Sequence, residues 1–240
     1  MREFKSYKVW DAGTRLFHWV NLLCVIGLAT IGLVILYGKT LGISSDGKIL
    51  LKTIHSSVGY VFALNLIWRF IWAFKGNHHA RWQAMRLGRG YLQEVAAYSA
   101  SIKSGQPKVY LGHNPIGRLS VVVLFLLLTT QAITGLVLAG TDLFYPPFGH
   151  WIAQWVAAPG VDPGLLVPNA PHLYDSAAYA SMREYRKIVV SVHVYGFYVL
   201  AGLIVLHIAA VVVTELRTGS NLVSVMITGK KILSQKPVDD

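Results

Sequence analysis

The chain has 240 residues, of which 54% are hydrophobic and only 14% carry a charge, and its formal net charge at pH 7 is +11. This composition excludes an ordinary soluble domain, which has about 25% charged residues, and it is typical of a membrane protein. The single cysteine, Cys24, excludes a disulfide framework. It lies within an apolar stretch and is interpreted as a packing residue.

Four apolar stretches are long enough to cross a membrane as helices. They comprise about residues 16–37, 53–74, 119–139 and 188–213. A helix of about 20 residues spans the roughly 30 Å of hydrocarbon in a bilayer. The first stretch is too long for a cleaved secretion signal, and no small-residue cleavage site follows it. The sequence therefore predicts an all-α membrane protein, a bundle of four transmembrane helices in which residues 1–240 form a single domain.

The basic residues are distributed unevenly between the two sides of the predicted bundle. With the N-terminus inside, the inner segments hold 15 of the 22 lysine and arginine residues, and the outer loops hold six. By the positive-inside rule, this asymmetry predicts that both termini are cytoplasmic, in a bacterial inner membrane that the chain crosses several times. Nucleic-acid binding is disfavoured, since these charges flank the spans and form no basic face interleaved with aromatic residues.

The first two predicted helices carry candidate residues at both membrane levels. The first helix runs outward from residues 15–19 (RLFHW), which puts His18 near the inner surface. A short, turn-rich outer loop is predicted over residues 38–52. Because the second helix then runs inward, His55 is expected near the outer surface and Arg69 near the inner one.

The inner loop over residues 75–118 separates the second helix from the third. Residues 82–102 predict an amphipathic helix on the membrane surface, and a plain solvated linker is the alternative. The loop closes with residues 112–117, which form a turn by composition. The third helix carries Gln131 and Thr134, which are interpreted as contributing to helix packing.

The outer segment over residues 140–187 is the longest irregular region and contains six prolines. A short interfacial helix is predicted by its residues Tyr145, Phe148, Trp151, Ile152 and Trp155. Loops of this length in compact folds tend to be functional or disordered. We interpret this segment as a docking surface for a partner outside the membrane.

The fourth predicted helix carries two histidines, His193 and His207, which are 14 residues apart. Fourteen residues make about four helical turns, so both side chains leave the same face with about 21 Å of rise between them. The alternating direction of the helices puts His193 at the outer level with His55, and His207 at the inner level with His18. Ionisable residues inside a membrane are costly and mark functional sites.

Two facing imidazoles at each of two depths are the arrangement that bis-histidine haem requires. Room for the flat macrocycle is expected at Gly32, Gly59 and Gly196. No CxxCH motif is present, so the sequence predicts two b-type haems bound non-covalently by the four histidines. Zinc or copper is disfavoured, because it needs three or four ligands gathered at one place. Satisfied core histidines and a proton relay stay open as alternatives.

Basic residues near the two levels are candidates for pairing with haem propionates. Arg69 lies 14 residues after His55, hence on the same face of the second helix but at the inner level. Its guanidinium is expected to neutralise propionates of the inner haem. The alternative is an interfacial arginine whose charged end reaches water. Further candidates are Arg15 and Arg118 at the inner level, and Lys52 and Lys187 at the outer level.

Several short motifs occur together along nearly the whole chain outside residues 140–187. They are residues 15–19 (RLFHW), 54–59 (IHSSVG), 72–77 (WAFKGN), 112–116 (GHNPI) and 133–135 (ITG), together with the spacing of His193 and His207. With them the chain resembles the cytochrome b subunit of membrane-bound nickel–iron hydrogenases, within the bacterial cytochrome b561 group. This group is similar to the membrane subunit of formate dehydrogenase.

The resemblance implies a four-helix, di-haem electron carrier that anchors a periplasmic pair of catalytic subunits. Such a carrier passes electrons from the iron–sulfur cluster of that pair to menaquinone or ubiquinone. The resemblance also implies a quinone pocket near the inner haem, which would include His113 and Asn114. The other loop histidines are interpreted as solvated side chains.

Three functions are compatible with these features. In the first, a periplasmic iron–sulfur or cytochrome subunit, expected to be nickel–iron hydrogenase, exchanges electrons with the quinone pool through this chain, which is embedded in membrane lipid. The chain is then the electron-transfer subunit of an oxidoreductase complex. In the second, it oxidises quinol for a different periplasmic cytochrome or reductase. In the third, it is a haem-free membrane anchor or transporter, although the sequence lacks the inverted repeats and broken helices of many transporters.

Overall fold

The computed structural model describes residues 5–239, and most of them are helical. In chain order the strands and α-helices are β1 (Lys5–Lys8), α1 (Ala12–Leu36), α2 (Ser45–Lys75), α3 (Trp82–Met85), α4 (Tyr91–Lys103), α5 (Pro115–Leu143), α6 (Gly149–Val156), α7 (Ser176–Thr218), α8 (Leu222–Thr228) and β2 (Lys230–Leu233). Short 3₁₀ helices cover His78–Ala80, Pro163–Leu165 and Pro171–Leu173.

Four helices, α1, α2, α5 and α7, are long and apolar enough to cross a membrane. Their side chains leave many large apolar groups at the surface, which suits contact with lipid. The predicted helical fold with four membrane spans is therefore confirmed, and it is consistent with a helical bundle. The small sheet formed by β1 and β2 is an addition that the all-α prediction lacked.

Two predicted outer loops are shorter than expected. The loop predicted over residues 38–52 ends early, because α2 already begins at Ser45, where the Ser44 hydroxyl accepts the Gly47 amide at 3.1 Å. The segment predicted to be irregular over residues 140–187 is limited to residues 144–175, between α5 and α7. Within it, α6 lies where the aromatic residues predicted a short helix.

The single amphipathic helix predicted over residues 82–102 is wrong in its extent. The structure has two helices there, α3 and α4, separated by residues 86–90. Gly90 precedes α4 with a φ of 86°, a left-handed conformation that glycine adopts without the steric cost of a Cβ atom. This glycine therefore interrupts the helical pattern.

The backbone divides into two compact units, which are described separately. The first unit comprises the described residues of Met1–Val20, Asn65–Leu126 and Leu200–Asp240. In it, β1 and β2 pair antiparallel with Lys5 opposite Leu233, so the chain segments before α1 and after α8 are joined. An apolar cluster lies beside this sheet and contains Val9, Trp10, Val109, Leu111, Val225 and Leu233.

The second unit comprises Asn21–Leu64 and Leu127–Val199. The segment between α5 and α7 packs here around an apolar cluster of Ala153, Val156, Leu166, Tyr174 and Met182. Three helices of this unit are joined by the Asp142 carboxylate, which binds Lys52 Nζ at 2.7 Å and forms a bidentate ion pair with Arg186. The side chain of Asp142 is only 8% exposed, so these charges are largely removed from solvent.

Candidate functional site

His55 of α2 and His193 of α7 face each other within the second unit. Their ring centroids are 6.4 Å apart, and the ring planes are inclined by 75°. A metal–imidazole bond is about 2.0 Å long, so two rings at this separation leave room for one metal ion between them. His55 and His193 would therefore be able to hold the iron of a haem.

The two rings differ in how they are held. Thr134 Oγ1 lies 2.8 Å from His193 Nδ1, and Gln131 Nε2 donates to the His193 carbonyl at 3.0 Å. By contrast, His55 Nδ1 is buried and has no hydrogen-bond partner among residues 5–239. Helix α5, whose polar residues were expected to serve helix packing, thus orients one of the two rings.

The glycines near these rings were expected to make room for a flat macrocycle, but they differ in what lies beside them. A Cβ atom on Gly32 would lie 3.2 Å from His55 Cε1, and one on Gly135 would lie 3.5 Å from His193 Cε1. Gly32 therefore leaves space for the His55 ring, whereas a Cβ atom on Gly135 would make only an ordinary van der Waals contact with His193. Gly196 instead makes room for Gln131, whose Nε2 would be 2.6 Å from an added Cβ atom, while a Cβ atom on Gly59 would meet open space.

His18 of α1 and His207 of α7 both belong to the first unit. His18 Nδ1 is buried without a hydrogen-bond partner in the described part of the chain. A buried polar nitrogen of this kind costs free energy unless another group binds it. This feature suits an imidazole that is available as a ligand.

Arg69 is a buried cation in the first unit, with only 5% of its surface exposed. Its guanidinium lies over the rings of Phe17 and Phe125, 6.0 and 5.3 Å from their centroids. One nitrogen, Nη2, donates to the Ala80 carbonyl at 3.0 Å. The other, Nη1, is buried and finds no acceptor within residues 5–239. A buried guanidinium donor of this kind fits a carboxylate such as a haem propionate.

The other basic residues considered for propionate binding are engaged elsewhere. Lys52 binds Asp142 and Lys187 binds Glu184, each at 2.7 Å. Arg118 pairs with Glu94, and Arg15 donates to the Trp10 carbonyl at 3.1 Å. Because Lys52, Lys187 and Arg118 already pair with carboxylates, these three residues are weaker candidates than Arg69.

Asn114 forms the N-terminal cap of α5. Its side-chain oxygen accepts the Gly117 amide at 2.7 Å, and its side-chain nitrogen donates to the Tyr98 hydroxyl at 3.0 Å. The Tyr91 hydroxyl donates to the Pro115 carbonyl at 2.9 Å and secures the same turn. Asn114 therefore has a structural role that fixes the position of its neighbour, His113.

His113 lies in the first unit with its ring 5.0 Å from that of Trp10. Burial, together with the charges of Lys231, His207, Arg69 and His79, lowers the pKa of His113 to about 4. His113 is therefore neutral at physiological pH.

Two residues of the C-terminal segment hold the turn before His113, and the sequence analysis missed both. The Asp239 carboxylate accepts the amides of Leu111 and Gly112 at 2.6 and 3.0 Å. Lys231 Nζ donates to the Tyr110 carbonyl at 2.5 Å. Sequence patterns give no signal for these contacts, since their partners are more than 100 residues away.

Candidate metal ligands in the described residues occur as pairs. Within residues 5–239, no three His, Cys, Asp or Glu side chains are grouped so that they could hold a metal ion. Zinc and copper sites usually need three or four such ligands. Two imidazoles with room between helices suit a planar macrocycle that itself supplies the remaining ligands to iron.

Comparisons with known proteins identify the family of this chain. A model of the prokaryotic cytochrome b561 family matches residues 9–229. A probable Ni/Fe-hydrogenase B-type cytochrome subunit of Rhizobium leguminosarum bv. viciae is 28% identical, over 98% of this chain and 92% of the relative. The protein of that name from Cupriavidus necator is 25% identical, over 95% and 88% of the two chains.

A probable Ni/Fe-hydrogenase 1 B-type cytochrome subunit of Escherichia coli K12 is 31% identical, over 60% of this chain and 64% of the relative. No solved structure gives a significant match. The resemblance inferred from the sequence motifs is confirmed by the relatives and by the family match, which implies b-type haem. Because that match extends over residues 9–229 and includes all four helices able to span a membrane, the chain belongs to the prokaryotic cytochrome b561 family.

Proposed function

We propose that this chain is a di-haem cytochrome b that transfers electrons between a periplasmic redox partner and the quinone pool. The observation that carries the proposal is the pair of imidazoles from His55 and His193, whose centroid separation of 6.4 Å suits one iron between them. Family membership implies the b-type haem. The names of the relatives favour a Ni/Fe-hydrogenase as the partner.

The chain supplies ligands from three helices, and residues 1–240 act as one domain. His55 and His193 hold one haem, and His18 and His207 hold the other. Arg69 offers Nη1 to a propionate of the haem bound by His18 and His207. When bound, haem supplies one-electron chemistry, whereas the protein supplies position and polarity. The protein itself makes and breaks no substrate bonds other than in the reduction or oxidation of quinone.

Quinone is the proposed small-molecule substrate, and its site includes His113 and Asn114. Asn114 fixes the turn through its cap on α5. The neutral imidazole of His113 belongs to the same unit as Arg69 and His207 and is suited to pass a proton to a reduced quinone. It can donate the hydrogen of one ring nitrogen while the other ring nitrogen accepts a replacement proton.

The proposed location is the bacterial inner membrane, with both termini cytoplasmic. The segment over residues 144–175 then faces the periplasm and forms the docking surface for the redox partner. Its exposed Trp151 and Trp155 suit the interface between lipid and water. Electrons that move inward work against an inside-negative potential at about 2.3 kcal/mol per 100 mV, so the transfer would conserve energy.

Haem quantification in ligand variants tests this proposal. The purified protein, expressed with ample haem, is expected to contain two haems, and His193→Ala and His207→Ala are each expected to contain one. The His207→Ala variant should also lose quinone reduction. The exposed His172 provides the matched control, since His172→Ala should keep both haems. Colourless wild-type protein, or unchanged haem content in both ligand variants, would contradict the proposal.

A further inference from the structure

We propose that Thr134 is a positioning residue for His193, and that its hydroxyl tunes the reduction potential of the iron bound there. The inference rests on the proposed function, because it takes His193 as an axial ligand. Thr134 Oγ1 lies 2.8 Å from His193 Nδ1, within the normal range for a hydrogen bond. Both residues are on helices of the second unit.

The hydroxyl hydrogen of Thr134 determines the direction of this bond. Thr134 Oγ1 also lies 2.7 Å from the Thr130 carbonyl oxygen and 3.3 Å from that of Gln131. A carbonyl oxygen only accepts, and the Thr130 carbonyl is the shortest of these contacts, so we assign the single hydroxyl hydrogen to the backbone. The hydroxyl lone pairs are therefore left to accept a hydrogen from His193 Nδ1.

This direction fixes the tautomer of His193. With the hydrogen on Nδ1, the lone pair on Nε2 is free to bind iron. The bond also holds the ring plane, and Gln131 adds a second restraint by donating to the His193 carbonyl at 3.0 Å. Partners of this kind orient metal-binding imidazoles and raise their basicity.

The opposite ligand lacks such support. His55 Nδ1 is buried without a hydrogen-bond partner among residues 5–239. Of the two imidazoles at this iron, only His193 has its basicity raised by a hydrogen-bond partner in the described protein. A more basic imidazole stabilises ferric iron over ferrous iron, so the Thr134 hydroxyl is expected to lower the midpoint potential of this haem and leave the other unchanged.

Thr134→Val tests the inference, because valine has nearly the same shape and no hydroxyl. We expect about a tenfold shift of the ferric–ferrous equilibrium toward ferrous iron, which corresponds to 59 mV for one electron. The shift should affect one haem only, and Thr134→Ser should restore the wild-type value. Potentiometric titration of the purified di-haem protein, followed by visible absorption, measures both haems at once.

Thr141→Val is the matched control. Thr141 is buried on the same helix, and its hydroxyl donates to the Leu138 carbonyl at 3.2 Å. The same group is thus removed without touching a histidine. An unchanged potential in Thr134→Val, or an equal shift in Thr141→Val, would overturn the inference. If Thr134→Val does not accumulate, Thr134→Ala replaces it in the same comparison with Thr134→Ser.

The experiment also separates this inference from the proposed function. If the wild-type protein contains two haems, and His193→Ala contains one, the ligand assignment stands whatever the Thr134 variants show. A protein with two haems and no shift in Thr134→Val refutes only the role of Thr134. Electron paramagnetic resonance of the oxidised protein adds a second readout, because it reports the orientation of the axial rings.

Discussion

The Asp11 carboxylate is expected to be a main stabilising group of the first unit. It accepts the Thr14 amide at 2.8 Å at the start of α1, and also Trp72 Nε1 and the Asn77 amide, each at 2.9 Å, at the end of α2. A capping bond is worth about 1 kcal/mol. Each of the other two bonds to a charged acceptor is worth about 1.5 kcal/mol at the low end, which suits a partly exposed group.

Asp11→Ala should therefore lower the free energy of unfolding by about 4 kcal/mol. For a chain of this length, such a loss lowers the melting temperature by about 8–16 °C. Asp11→Ser should recover part of it, because serine can still cap α1. Since α1 carries His18 and α2 carries Arg69, the haem of the first unit should be released before the other as the variant is heated.

Thermal unfolding in detergent micelles, followed by circular dichroism and haem absorbance, measures both effects. Asp162→Ala is the matched control, because that carboxylate caps only a 3₁₀ turn by accepting the Gly164 amide at 2.8 Å. Equal melting temperatures for Asp11→Ala and the control would refute the reasoning.

The pH dependence gives an independent check on Asp11. Burial alone would raise the pKa of Asp11, but hydrogen bonds from Asn77, Thr14 and Trp72 outweigh it and hold the pKa below 3.8. A lowered pKa in the folded state means that the stabilisation is complete above pH 3.8 and is lost as the pH falls through the folded value. In Asp11→Ala this part of the acid transition should be absent.

Two further predictions concern carboxylates in other parts of the chain. Asp142→Asn leaves two cations without their partner, and breaking a buried pair of this kind costs about 3 kcal/mol, so thermal unfolding of the variant should begin earlier. In contrast, Glu184→Gln should leave thermal unfolding nearly unchanged, since both side chains of the Glu184–Lys187 ion pair are 69% exposed. Equal melting temperatures for Asp142→Asn and Glu184→Gln would contradict a stabilising role for the buried ion pairs of Asp142. Asp239→Ala should slow quinone reduction several-fold with both haems retained, whereas Lys236→Ala, which alters an exposed side chain, should not. An unchanged rate in Asp239→Ala would show that the turn before His113 does not depend on the C-terminal segment.

The membrane spans could be predicted from the sequence because hydropathy alone decides them, but hydropathy does not decide where a helix ends. The predicted fourth span over residues 188–213 is apolar, whereas α7 runs from Ser176 to Thr218. The added turns contain Arg183, Glu184, Arg186 and Lys187, all of which are compatible with a helix in water. A hydrophobic pattern therefore finds the part of a helix inside lipid and misses its extension beyond.

The candidate ligands could also be proposed from spacing and helix direction, but their supporting contacts could not. Thr134 was interpreted as a packing residue, because nothing in the sequence near it indicates a hydrogen bond with a ring 59 residues away. The same holds for Asp239 and Lys231, which reach the turn before His113 across more than 100 residues. Contacts of this kind depend on tertiary packing, which produces no periodic pattern in the local sequence.

The antiparallel pairing of β1 with β2 has a consequence for biosynthesis. Lys5 lies opposite Leu233, so β1 cannot pair until β2 has been synthesised, more than 200 residues later. At ribosomal rates of about 5–20 residues per second, that interval is about 10–45 s. During that interval the backbone N–H and C=O groups of β1 are unpaired, and other chains or chaperones can bind them. Only polypeptides synthesised through residue 233 can pair β1 with β2, and this pairing therefore distinguishes them from shorter nascent or truncated chains.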